Sequence, residues 1–135
     1  MNSNPRRVKL RRAALVRAPD ASILSSALIG VCRRDFTSFA RLCLSELYPK
    51  MAPSFNYHLQ ALGFQLSRVI SGHVHNFMVN LPPRYGKSVL TSVGLPAYVL
   101  GLDPTRRVIV ISHSLDLAGD LSTSFRRVVK TPWYR

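Results

Sequence analysis

Acidic side chains are scarce. Six Asp and Glu stand against 19 Lys and Arg in 135 residues, a formal net charge of +13. Such an imbalance favours an anionic partner: nucleic acid, nucleotide or anionic membrane. It also fits a basic fragment separated from an acidic remainder. Cysteine is nearly absent. Cys32 and Cys43 form neither a C-x-x-C pair nor a Cys/His metal spacing, so a reduced cytosolic setting is expected, with both thiols in the core. No apolar run reaches membrane-spanning length, and no continuous apolar signal core follows the basic N-terminus. A membrane partner is therefore not expected. There is no internal repeat. What is plentiful is apolar surface: 47% of residues are hydrophobic, which allows a packed core and excludes disorder throughout. The length suits one domain or part of one.

Residues 1–20 carry Arg6, Arg7, Lys9, Arg11, Arg12 and Arg17 between Pro5 and Pro19, the pattern of a disordered basic arm that solvent or a phosphate backbone satisfies. Residues 21–54 read as a helical N-terminal segment. Its first helix runs from Ala21 to Val31. In its second, capped by Asp35, Phe36, Phe39, Ala40, Cys43 and Leu47 share a face, and Pro49 and Pro53 end it. A further helix spans 56–71, with Leu59, Leu62, Leu66, Val69 and Ile70 on one stripe and Gly72 closing it. Residues 75–80 are then expected as a buried strand. A helix carrying Val89, Leu90, Val93 and Ala97 follows, and Pro96 must kink or break it. Gly101 and Asp103-Pro104 make a turn. Residues 108–112, Val-Ile-Val-Ile-Ser, read as a strand covered on both faces. The last helix places Leu115, Ala118, Leu121, Phe125 and Val128 at steps of three and four, with Ser112 or Ser114 as its cap. The order of elements predicts an α/β protein: the start of a P-loop NTPase with a parallel sheet and a βαβ unit, preceded by two or three helices, and incomplete as a domain.

The segment between the first strand and its helix carries the functional signal. Leu81-Pro82-Pro83-Arg84-Tyr85-Gly86-Lys87-Ser88 is close to the phosphate-loop (Walker A) pattern G-x-x-x-x-G-K-[ST], with Leu81 in place of the first Gly. Gly86 lacks a Cβ and lets backbone approach a phosphate. Lys87 supplies a compact charge for the outer phosphates, and the Ser88 hydroxyl suits Mg²⁺. A helix starting near Lys87 would aim its free N–H groups at the same anion. His73 and His75 form H-x-H, but no third metal ligand is evident.

Residues from about Phe55 to Arg135 resemble the N-terminal ATPase domain of bacteriophage terminase large subunits. The resemblance rests on the Pro-Pro-Arg-x-Gly-Lys-Ser loop at 82–88, on Pro96-Ala-Tyr-Val-Leu-Gly101, and on Val-Ile-Val-Ile-Ser-His-Ser at 108–114 with the helix behind it. It implies a partial P-loop ATPase domain over 55–135, with ATP and Mg²⁺ as ligands. Pro83, Arg84, Tyr85, Gly86, Lys87 and Ser88 would form the loop, with Ser88 on the metal and Arg84 sensing the γ-phosphate. Tyr57 and His58 sit where the family places an adenine-contacting motif, although the glutamine common there is represented only by Gln60. The parent function is the ATP-driven motor that packages viral DNA, with double-stranded DNA, the phage portal and the small terminase subunit as partners. The setting implied is the bacterial cytoplasm, phage- or prophage-encoded.

Phosphoryl transfer also needs carboxylates to hold Mg²⁺ and orient water. Asp20, Asp35, Glu46, Asp103, Asp116 and Asp120 are the only acids, and none ends an apolar strand. The expectation is a truncated terminase that binds nucleotide and has lost hydrolysis. The alternatives are another P-loop ATPase, helicase-like in type, or a small non-enzymatic basic DNA-binding protein.

Overall fold

The computed structural model describes residues 21–49 and 56–134, and the regular structure among them is helical. Helix α1 spans Ala21–Cys32 and α2 spans Phe36–Leu47. Asp35 separates them and caps α2 as expected. Its extended backbone lets Oδ2 accept the Ser38 N–H at 2.7 Å, satisfying one of the free donors of the first turn. Helix α3 spans Tyr57–Ile70. It ends in a Schellman motif: Gly72, at φ +78°, donates its N–H to Val69 O, and His73 donates to Arg68 O at 3.0 Å.

A single helical run begins at Lys87. It contains a π-helical segment, Val89–Gly94, and continues as α4, Leu95–Leu102. Pro96 therefore does not break the run. It sits in the first turn of α4, where its missing N–H matters least. The widened turn ahead of it carries the register change, with the Leu95 N–H reaching back to Leu90 O. Helix α5 spans Leu115–Val129 and is capped by Ser114, whose Oγ faces the Leu117 N–H at 3.5 Å.

Helix α2 is the centre of the molecule and packs against every other helix. Its Phe36, Phe39, Ala40, Cys43 and Leu44 are buried. They meet Leu59, Leu62 and Leu66 of α3, Leu90 and Val93 of the π segment, Ala97 and Tyr98 of α4, and Val128 of α5. Each fully buried large side chain contributes about 1.5–3 kcal/mol of transfer free energy, so this one cluster holds the helices together. Tyr98 anchors its corner. Its ring meets Phe36 and Phe39 edge-on at 5.4 and 5.2 Å, and its hydroxyl donates to Arg33 O. Arg127 ties α5 to the end of α2: its guanidinium donates to Glu46 O at 2.6 Å and faces Glu46 Oε1 at 3.4 Å.

The α/β expectation is overturned. No strand, sheet or βαβ unit exists among the described residues, so the fold is not the parallel-sheet P-loop architecture. Residues 76–80 and 106–112 carry no regular secondary structure, and neither segment pairs with another. A strand is held by a ladder of bonds to a neighbour about 4.8 Å away, and apolar composition alone does not supply that neighbour. Residues 108–112 are not covered on both faces either: Ile109 is 84% and Ile111 89% exposed. Leu115, expected on the inner face of α5, is also exposed, whereas Val128 is fully buried. The basic arm at 1–20 and Pro53 lie outside the described residues.

Candidate phosphate-binding loop

Three elements converge on the Gly-Lys-Ser tripeptide. Leu81, standing where the common loop pattern has Gly, packs against the core and anchors the base of the loop. Pro82 and Pro83 follow in exposed positions. The backbone then alternates in hand. Arg84 has φ +70° and Gly86 φ +75°, and Tyr85 between them is not left-handed. Alternation of this kind turns neighbouring N–H groups toward one side and makes an anion-binding concavity. A left-handed conformation is uncommon for a residue with a Cβ, and Arg84 is the only non-glycine in it among the described residues.

The helical run starts directly after. Leu90 donates its N–H to Gly86 O at 3.1 Å, closing the first turn. The N–H groups of Lys87, Ser88 and Val89 donate to no described residue. These are the orphan donors of a helix N-terminus, and Val89 is itself a buried residue. The Lys87 ammonium likewise has no hydrogen-bond or ion-pair partner among the described residues. Thr91 Oγ1 bonds back to Lys87 O at 3.0 Å and steadies the turn.

In front of the loop lies a cavity of about 800 Å³. The loop residues 81–89 form one wall, and Leu44, Tyr48, Asn56, His58 and Leu59 form the other. Its charged lining among the described residues is cationic, from Arg84 and Lys87, with no Asp or Glu. The His58 ring meets Tyr85 edge-on at 5.1 Å, which brings one expected base-contacting residue to the loop. Its neighbour Tyr57 does not join it: that ring is 86% exposed and lines no part of the cavity. Tyr48 and Asn56 take the place expected of Tyr57. No sequence signal pointed to Tyr48, which lies at the end of α2 far from the loop in the chain, and Asn56 was read only as the first residue of the helix at 56–71.

Ser88 is exposed, and its hydroxyl makes no hydrogen bond to a described residue. No group of three or more His, Cys, Asp or Glu able to hold a metal by itself occurs among the described residues. His73, one half of the H-x-H pair, instead accepts or donates at Ser71 Oγ, 2.7 Å away. No described helix is long and apolar enough to cross a membrane.

No family model matches this chain, and neither a curated protein nor a solved structure matches it.

Proposed function

We propose that the loop at 83–88 binds the polyphosphate of ATP together with Mg²⁺, in the manner of the N-terminal part of a phage terminase large subunit. The observation that carries this reading is the set of N–H groups at Lys87, Ser88 and Val89 that have no partner among the described residues, at the start of a helical run beside Arg84 and Lys87. Lys87 takes the outer phosphates, Gly86 lets the chain pass close beneath them, and Ser88 ligates the cation. Arg84 offers a planar donor fork to the terminal phosphate. The base rests in the wider part of the cavity against Tyr85 and His58. Because no described carboxylate lines the cavity, the chain is expected to bind nucleotide without hydrolysing it.

Duplex DNA is the partner that the charge of +13 supports.

The test is calorimetric titration of the full chain with Mg-ATP, Mg-ADP and AMP, alongside the Lys87→Ala variant. The expected order is ATP and ADP well ahead of AMP. Lys87→Ala should lose about tenfold or more in ATP affinity, the scale of one charge-assisted hydrogen bond. Equal ATP affinity in Lys87→Ala and the parent chain, with unchanged helical circular dichroism, overturns the proposal.

A further inference from the structure

Residues 107–112 connect α4 to α5 as chain without regular secondary structure. Their bracketing bonds are local: the Arg106 N–H reaches Asp103 O at 3.2 Å, and the Ser114 N–H faces Ser112 Oγ at 3.5 Å. Between those points no backbone N–H or C=O bonds to any described residue. The side chains are equally open, since Val108, Ile109, Val110 and Ile111 are all exposed. The two valines, at 40% and 45%, are half as exposed as the two isoleucines. One face of the segment therefore leans toward the protein and the other faces out, with the two-residue period of a strand.

Water can satisfy the backbone, but it gains nothing from four adjacent β-branched side chains, and such a segment is a template for strand addition. Its N-terminal end is cationic. Arg106 is already paired with Asp103 at 3.4 Å, whereas Arg107 has no partner among the described residues. A second copy of this chain would bring another +13 of charge to the same place, which opposes self-pairing.

We propose that residues 107–112 are the acceptor edge for a β-strand supplied by a second polypeptide, one with apolar residues at alternate positions and acidic residues at the end that meets Arg107. Backbone pairing provides the attachment, Val and Ile pair across the strands, and Arg107 selects the acidic flank.

The experiment uses the full chain and short blocked peptides of alternating valine and threonine, one ended by aspartates and one by lysines. Amide hydrogen exchange is followed at 107–112, and affinity by fluorescence anisotropy. The aspartate peptide should protect the amides of this segment and bind at least about tenfold more tightly than the lysine peptide. Prolines placed singly at Ile109 and Val110 remove the N–H on opposite edges in turn; at least one should abolish protection. Both positions are exposed, so helical circular dichroism should be unchanged. Ile109→Lys serves as a second variant and should weaken binding without a backbone change. Absence of protection by the aspartate peptide overturns the proposal, as does equal binding of the two peptides. Concentration-dependent protection without peptide would show that a second copy occupies the edge, and would overturn it too.

Discussion

Gly86 passes so close to Leu59 that a Cβ on the glycine would stand 3.2 Å from Leu59 Cδ2. The loop is thus seated directly on α3, and its left-handed residue is also its contact residue. Gly86→Ala should lose about 1–2 kcal/mol of stability from the φ of +75° alone, and the shift it forces should weaken ATP binding. Gly72 provides the control. It has nearly the same φ but open space around it, so Gly72→Ala should carry a similar stability loss and leave ATP affinity intact. Chemical denaturation and ATP titration of both variants check this.

The α2–α3 seam has less tolerance. A Cβ on Gly63 would meet Thr37 Oγ1 at 2.9 Å and Cγ2 at 3.3 Å. Both branches of the threonine are in the way, so rotating its side chain gives no relief. Gly63→Ala should cost about 1–3 kcal/mol as an overpacking defect. Adding Thr37→Ala should recover a good part of that loss, which a double-mutant cycle in urea measures as non-additivity.

Alkaline pH should unfold the chain through its core thiol. Burial, with Cys32 adding to it, pushes Cys43 from 9.0 up to about 12, and burial raises Cys32, Tyr98 and Tyr134 as well. The unfolded chain then gives up these protons earlier than the folded one. Stability is complete below pH 9 and falls between about 9 and 12, at up to about 1.4 kcal/mol per pH unit for each group ionised only when unfolded. Cys43→Ala should be less stable at neutral pH because of the cavity, yet show a shallower decline over the alkaline range. Urea denaturation at stepped pH distinguishes the two effects.

Binding to duplex DNA should be salt-sensitive and indifferent to sequence. Removing residues 1–20 takes away six basic side chains and one acid, so the slope of log K against log salt should become shallower. An unchanged slope in filter-binding or anisotropy measurements would mean that the arm leaves phosphates alone.

The helices were legible because their signals are local. Asp35, Gly72 and Ser114 act within one turn of where they stand, and the apolar faces of α2 and α3 need only a period. The phosphate-loop motif is local in the same way, since Arg84 to Ser88 lie in one stretch of chain. The sheet was misread because pairing is not local: the Val-Ile-Val-Ile composition at 108–111 describes a strand that would suit a neighbour and says nothing of whether one is there. The opposite wall of the cavity was half seen. His58 has an aromatic contact to Tyr85, but its neighbour Tyr57 points to solvent because consecutive helical positions face about 100° apart.

The single tryptophan, Trp133, lies half-buried with its ring 5.7 Å from Phe39, on the side of α2 served by α4 and the C-terminal turn. It lines none of the cavity in front of the loop. Its emission is therefore a ready-made optical reporter of how firmly the chain's last turn is docked, read without any label. Because Phe39 shares α2 with Leu44, which does line that cavity, a colour change in Trp133 on adding ATP would be the spectroscopic trace of strain carried along a single helix.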